Sequence, residues 1–194
     1  MMRKKLPEVL SESKQVRLVD HLHIKAPTKL RKLCLLRVML DNGLRAAEVL
    51  ALRCQDIDWR NGKMKIHGKG KKERISYLSD ENLELLKTWL EVRHQLRQQN
   101  DSLFVRMDGR PMTDRNLRRI FNWQAQKVGL VDKHVHPHTC RHTFATDLLK
   151  KTKNLRLVQK AMGHESISTT EIYLHIQDAE MEEALKGFRI GEEK

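Results

Sequence analysis

The chain is poor in cysteine and has no long hydrophobic run. Its three cysteines, Cys34, Cys54 and Cys140, are odd in number and widely spaced, so they suggest neither a disulfide framework nor a paired-cysteine metal site. No apolar stretch approaches the roughly 20 residues of a membrane-spanning helix, and the Met-Met-Arg-Lys-Lys start lacks the apolar core of a signal peptide. These absences predict a soluble protein of the reducing cytoplasm with no membrane partner.

Acidic residues are scarce relative to basic ones. Lys and Arg number 38 against 25 Asp and Glu, which gives a formal net charge of +13 and a pI near 9.9. An excess of this size is typical of a protein that binds a polyanion, although charge alone does not separate DNA from RNA. The 194 residues, with apolar positions at helical spacing, suit one domain with a continuous core.

The apolar pattern predicts a mainly α fold with a small antiparallel β-sheet, an α+β class. Helices are expected over residues 30–40, 46–52, 83–90, 117–128, 139–149, 155–162 and 179–188, with a short one around Tyr173. Thr139 is expected to cap the fifth of these helices, Asn42-Gly43 to end the first and Gly163 to end the sixth. The alternation at residues 63–67, the Gly68-Lys69-Gly70 turn and the run 74–78 predict a β-hairpin with Lys69 at its tip.

Five residues spread along the chain could together cleave a phosphodiester without a metal ion. That chemistry needs cations on the non-bridging oxygens, a nucleophile in line with the bridging oxygen, and an acid for the leaving oxygen. Arg45 and Arg141 suit the oxygens because a guanidinium donates bidentately and keeps its charge. His138 lies near a predicted helix start, where phosphate is readily held. Lys69 could serve as the acid and Tyr173 as the nucleophile.

Each of these residues has a plainer explanation when it is taken alone. A single arginine is usually an ion-pair partner on the surface, a glycine-flanked lysine turn is usually only solvated, and a tyrosine is usually half-buried, which is the role we expect for Tyr77. His142 is expected to be a hydrogen-bonded core histidine. Zinc is a further alternative, weakened because Pro137 and the helix start would turn the ligands apart. Its ligands would come from His134, His136, His138, Cys140 and His142.

The order of these residues along the chain favours the catalytic explanation. The segments GLRAAEVLALRCQDID, GKGKKER, HPHTCRHTFATDLL and MGHESISTTEIYLH are similar to four sequence boxes of the tyrosine recombinase or phage integrase family. Over residues 26–185 the chain resembles the catalytic domain of that family, and most of all its Xer and small-integrase branch. The resemblance implies the tyrosine recombinase catalytic-domain fold and site-specific cleavage and rejoining of DNA through a 3′-phosphotyrosine.

The resemblance also implies a role for each matching residue. Tyr173 would be the nucleophile, and Glu48 would orient charged neighbours. The activating set would comprise Arg45, Lys69, His138, Arg141 and His164. No metal, nucleotide or other cofactor is expected. Four basic residues of the hairpin are predicted DNA contacts: Lys65, Lys71, Lys72 and Arg74.

The implied partners are double-stranded DNA with inverted-repeat core sites and further copies of the chain, which would form a dimer or tetramer on DNA through the C-terminal helix. We divide the chain into a basic arm (1–26), a catalytic domain (27–177) and an acidic helix or tail (178–194). The arm is too short for the core-binding domain of about a hundred residues that the family usually carries. The chain is therefore expected to be an isolated catalytic domain or a naturally short member. A type IB topoisomerase-like enzyme and a non-catalytic DNA-binding regulator are the alternatives.

Overall fold

The computed structural model of the protein describes residues 8–22, 24–68, 70, 72–97, 100–130 and 135–163. Its elements there follow the order helix, sheet, helix, which confirms the predicted fold class of mainly α with a small antiparallel sheet. The helices are α1 (Glu12–Val19), α2 (Pro27–Asn42), α3 (Ala46–Ala51), α4 (Asp80–His94), α5 (Asp114–Lys127), α6 (Pro137–Thr152) and α7 (Leu155–Met162), with a 3₁₀ turn at Cys54–Asp56. The strands are β1 (Ile57–Asp58), β2 (Lys63–His67) and β3 (Glu73–Tyr77).

Capping residues set the ends of these helices. The side chains of Ser79 and Asn154 accept hydrogen bonds from the backbone of the first turns of α4 and α7, which satisfies donors that a helix start leaves open. At the other end, α2 and α7 stop at Gly43 and Gly163, whose φ angles are 60° and 61°. Both stops are confirmed as predicted, since a left-handed residue after a helix is usually glycine.

The predicted start of α6 was wrong. The helix begins at Pro137, and His136 precedes it as the N-cap, with its ring Nδ1 accepting from the backbone N–H of Thr139. Proline is favoured in the first turn because its missing N–H would have no partner there. Thr139 therefore lies inside the helix, and His138 belongs to the first turn of α6 rather than to the loop before it.

The three strands form one antiparallel sheet in the order β1-β2-β3. The β2–β3 pair confirms the predicted hairpin, whereas β1, only two residues long, was not predicted. Met64 and Ile66 of β2 are buried, and the register sets Ser76 and Arg74 of β3 directly opposite them on the same face. The other face is outward, so Tyr77 is 69% exposed and the prediction that it is half-buried was wrong.

A continuous core lies between the sheet and helices α1 to α6, and a smaller apolar cluster joins α6 to α7. Trp89 of α4 is fully buried, and its indole N–H donates to the carbonyl of Leu103. Leu18 of α1 is equally buried in the same core. The described part of residues 1–26 therefore packs with the domain, while the boundary at residue 27 stays a prediction. Among the described residues, no helix is both long and apolar enough to cross a membrane.

Candidate active site

Arg45 lies in the short connection between α2 and α3 and acts as the N-cap residue of α3. Its backbone N–H donates to Glu48 Oε2 at 2.8 Å, and its guanidinium Nη1 donates to Glu48 Oε1 at 2.7 Å. A glutamate at the third position of a helix commonly binds back to the N-cap in this way. The side chain of Arg45 is therefore held in place by Glu48, and because it is 40% exposed it still faces solvent.

Glu48 is the centre of an arginine cluster. Its carboxylate, only 3% exposed, accepts two parallel hydrogen bonds of 2.8 Å from Arg74, and Nη1 of Arg141 lies 3.8 Å from its Oε2. Burial alone would raise the pKa of Glu48, but the hydrogen bonds from Arg74 and from the backbone N–H of Arg45 outweigh it and lower the pKa to about 2. One carboxylate therefore stays ionised among three cations, which leaves the cluster with a net positive charge.

Arg141 ties the first turns of α6 to two other parts of the chain. Its Nη1 donates to the carbonyl of Gly43 at 2.6 Å, and its Nη2 donates to the carbonyl of Met162, at the end of α7, at 2.5 Å. Its side chain is 6% exposed. The Gly43 bond fixes the connection that carries Arg45 against α6. The two arginines predicted from separate sequence boxes therefore lie at one place in the fold.

Gly43 makes this approach possible. An added Cβ would lie 2.3 Å from the ring of Phe144 on α6, closer than any side chain can come, and the φ angle of 60° would strain any other residue. The sequence showed Gly43 only as a helix stop. Its close contact with α6 could not be predicted, because it depends on packing between segments about a hundred residues apart.

His138 is exposed in the first turn of α6, with its ring centroid 5.9 Å from that of His136. The positive end of the helix favours an anion at this position. His142, one turn further on, is half-buried. Burial lowers its pKa, and the nearby His138 and Arg141 lower it further, so at neutral pH His142 is uncharged.

The hairpin residues differ in where they point. Lys65 lies on the outer face and pairs with Glu73 at 2.8 Å, and Lys72 is exposed close to the turn. Arg74 instead faces inward on Glu48, with 11% of its side chain exposed, and donates from Nε to the carbonyl of Ala161 at 3.1 Å. This position differs from the DNA contact predicted for Arg74.

Asp56 and Glu73 contact His67 on either side at the turn end of the hairpin. The Nε2 of His67 lies 2.9 Å from Asp56 Oδ1, and its Nδ1 lies 3.3 Å from Glu73 Oε1. A backbone hydrogen bond of 2.7 Å from Gly68 to the carbonyl of Lys72 closes the turn above them. The hairpin is thus anchored to the 3₁₀ turn just below its tip.

Five of the residues named in the sequence analysis, Lys69, Lys71, His134, His164 and Tyr173, lie outside the described residues, as does the C-terminal segment 178–194. Their predicted roles stay predictions. For the zinc alternative, no group of three His, Cys, Asp or Glu side chains within the described ranges could hold a metal ion. Cys140 is fully buried on the opposite side of α6 from the exposed His138, and burial raises the pKa of its thiol.

The phage integrase family model matches residues 8–180, and the chain belongs to that family. It is 36% identical over 180 residues to the tyrosine recombinase XerC of Thermodesulfovibrio yellowstonii, covering 90% of this chain and 60% of that protein. It is 37% identical over 191 residues to the XerD recombinase of Oceanobacillus iheyensis, covering 95% of this chain and 63% of that protein. The chain thus spans about half to two-thirds of the length of the curated relatives that it matches.

Solved structures agree with this assignment. The XerH site-specific recombinase, in a post-cleavage complex with a palindromic difH substrate, superposes with a TM-score of 0.82 at 33% identity, covering 94% of this chain and 54% of that one. The XerA recombinase gives a TM-score of 0.81 at 30% identity, covering 96% and 68%. The catalytic domain of bacteriophage HP1 integrase shares the fold, with a TM-score of 0.65 at 20% identity over 95% of this chain and 96% of that one.

Proposed function

We propose that this chain carries the catalytic core of a site-specific recombinase that cleaves and rejoins double-stranded DNA through a 3′-phosphotyrosine. The observation that carries the proposal is the arginine cluster: Arg45 and Arg141, from distant sequence boxes, meet around the ionised Glu48 beside the positive end of α6. A net positive cluster with one exposed guanidinium suits the non-bridging oxygens of a phosphodiester, where negative charge grows during attack.

In the proposed reaction the hydroxyl oxygen of Tyr173 loses its proton to solvent or a neighbouring base and attacks phosphorus, and the bond from phosphorus to the 5′ oxygen breaks. Lys69 protonates the departing 5′ oxygen, while His138 and His164 assist at the phosphate. The phosphotyrosine keeps the energy of the broken bond, so the 5′-hydroxyl of another strand can attack it and release the tyrosine. These steps need no metal or nucleotide.

For the DNA partner, we infer duplex sites with inverted-repeat cores, contacted by the outer face of the hairpin through Lys65, Lys71 and Lys72. The position of Lys65 on that face and the net charge of +13 support this inference.

We further infer that several copies assemble on DNA through the acidic segment 178–194, which would repel the phosphates if it lay on them. A protein with this task works where the DNA is, at the nucleoid in the cytoplasm.

The test of the proposed function is covalent trapping of DNA. The full chain is incubated with fragmented genomic DNA, and cleavage positions are mapped from protein-linked ends. The wild type is expected to give adducts at preferred sites, and Tyr173→Phe none, with unchanged affinity for the same duplexes. Tyr77→Phe is the matched control, because Tyr77 is the other tyrosine of the chain, and it should keep its adducts.

Other outcomes would lead to other assignments. Adducts without site preference, with relaxation of supercoiled plasmid, would indicate a topoisomerase-like enzyme. Binding without any adduct would indicate a regulator.

For assembly, sedimentation of Tyr173→Phe on duplexes with two half-sites should show more than one chain per duplex. A truncation at residue 177 should reduce this cooperativity, and unchanged cooperativity would refute the role of the tail.

A further inference from the structure

Arg74 connects three sequence boxes that the fold brings together. It lies on β3 of the hairpin and is the last residue of the GKGKKER box. Its guanidinium binds Glu48 of the GLRAAEVLALRCQDID box and the carbonyl of Ala161 on α7, just before the MGHESISTTEIYLH box. We propose that Arg74 is a positioning residue for strand cleavage and not a DNA contact. In this role it fixes the position of Glu48 relative to the end of α7, and through Glu48 it fixes the guanidinium of Arg45. This inference rests on the proposed function.

The strand register explains why Arg74 points inward. Arg74 is directly opposite Ile66, which is 1% exposed, and directly opposed residues of an antiparallel pair share a face of the sheet. The side chain of Arg74 therefore points away from the outer face, on which its neighbours Glu73 and Ile75 lie. With 11% of its side chain exposed, Arg74 presents much less surface to DNA than Arg45, which is 40% exposed.

The hydrogen bonds of Arg74 are made inside the protein. Nη1 and Nη2 donate to the two carboxylate oxygens of Glu48, both at 2.8 Å, and Nε donates to the Ala161 carbonyl at 3.1 Å. A planar fork matched to a carboxylate fixes orientation as well as distance, and a lysine in its place could not reproduce it. All three guanidinium nitrogens are therefore used to join β3, α3 and α7.

The contact with α7 is also steric. Gly163 ends α7 directly before His164 in the sequence, and a Cβ added there would lie 3.0 Å from Cδ of Arg74. Arg74 thus packs under the last turn of α7, and its positive charge faces the negative end of that helix. The segment that contains His164 and Tyr173 starts from a point that Arg74 helps to fix.

Arg74 also has an electrostatic effect on Glu48. Within the part of the chain that the structure describes, three charged groups face this carboxylate: Arg45 at the N-cap of α3, Arg74 from β3 and Arg141 from α6. Without Arg74 the effect of burial on the carboxylate is opposed by fewer hydrogen bonds, so the pKa of Glu48 rises. On protonation Glu48 loses the charge that holds Arg45. Removing Arg74 should therefore add an acid-side loss of cleavage that the wild type does not show.

The experiment compares Arg74→Gln and Arg74→Lys with the wild-type full chain on a nicked duplex that carries a cleavage site mapped with the wild type. The cleavage rate at saturating protein, the Kd at several salt concentrations and the rate from pH 5 to 8 are measured. A displacement of catalytic groups by about 1 Å costs on the order of 100-fold in rate, so we expect a saturating rate lowered by about that factor. The Kd should stay within about two-fold, and the salt slope should be unchanged, since no phosphate contact is lost.

Lys72→Gln is the matched control for a true DNA contact, because Lys72 is an exposed cation of the same hairpin. It should weaken binding and reduce the salt slope by about 0.9. If Arg74→Gln behaves in that way and regains its rate at saturation, Arg74 is a DNA contact and the proposal is overturned. Wild-type rates for both Arg74 variants would also overturn it.

The pH profile separates positioning from simple loss of stability. Arg74→Gln should lose rate on the acid side while the wild type keeps it, and Arg74→Lys, which retains the charge near Glu48, should lose less. If Arg74→Gln fails to fold, the Arg74→Lys rate and pH profile decide the question. A profile parallel to the wild type in the folded variant would contradict the proposal. Absence of wild-type cleavage would instead refute the proposed function.

Discussion

Glu48 should contribute strongly to stability as well as to the site, and Glu48→Gln tests this directly. The substitution keeps the size of the side chain and removes its charge. It leaves Arg74 and Arg141, with side chains 11% and 6% exposed, facing a neutral amide. A buried cation that loses its anion has a large desolvation cost with little compensation.

Two independent estimates give the size of the effect. The pKa of Glu48 is lowered from 4.5 to about 2, and each pH unit corresponds to about 1.4 kcal/mol, so the ionised form adds roughly 3 kcal/mol to the free energy of unfolding. Removing one partner of a buried ion pair costs about 3–5 kcal/mol in other proteins. We therefore expect Glu48→Gln to lose roughly 3 kcal/mol at pH 7.

The pH dependence of this loss follows from the direction of the pKa change. Because the folded pKa lies below the unfolded one, the stabilisation is present in full above about pH 4.5 and is lost as the pH falls towards about 2. Urea unfolding of wild type and Glu48→Gln at pH 7 and at several acid pH values should show curves that converge at low pH.

Glu84→Gln is the control for this experiment. Glu84 pairs with Lys87 at 2.7 Å on the surface, where the two side chains are 69% and 40% exposed, and such a pair contributes at most about 1 kcal/mol. A Glu48→Gln loss no larger than that of Glu84→Gln, or a loss that does not depend on pH, would refute the reasoning about the arginine cluster.

Two further predictions concern the hairpin lysine and the close contact at α2. Lys69→Ala should slow cleavage by roughly 10²- to 10⁴-fold because the leaving 5′ oxygen loses its acid, and a 5′-bridging sulfur substrate should restore most of the rate, since a thiolate leaves without protonation. Arg45→Ala should stay slow on that substrate, and an equal response of both variants would show that Lys69 is not the acid. Gly43→Ala should lower the free energy of unfolding by about 1–3 kcal/mol through its clash with Phe144 and its left-handed φ, as measured by urea unfolding. Adding Phe144→Leu to Gly43→Ala should recover part of that loss, and no recovery in the double variant would mean that backbone strain alone is responsible.

Much of the fold could be predicted from local patterns. The ends of α2 and α7 follow from single glycines, and the β2–β3 hairpin follows from the Gly68-Lys69-Gly70 turn between alternating strands. The start of α6 was missed by two residues because Thr139 looks like a cap, whereas Pro137 already favours a helical first turn. Local preferences compete at a helix start, so the pattern predicts the helix but not its first residue.

The site could be predicted as a set of residues but not as an arrangement. Arg45, Glu48 and Arg141 were recognised from their boxes, and the structure brings them together. The inward position of Arg74 was missed. Ile75 and Tyr77 are the apolar residues of β3, so the pattern suggests that they face the core and that Arg74 faces solvent. The pairing of Arg74 with the buried Ile66 indicates the inward position, but only once the strand register is known.

The sequence by itself determined the family, through the four segments that resemble its boxes, and the order of those boxes and the residue types available for the proposed chemistry, because these depend only on which residues follow one another along the chain. Only the tertiary structure decided that Glu48 is shared by Arg45, Arg74 and Arg141, and that Tyr77 faces outward. The physical reason is that a strand's facing depends on its register with its neighbour, and a buried charge is stable only where packing brings its partners within hydrogen-bond distance.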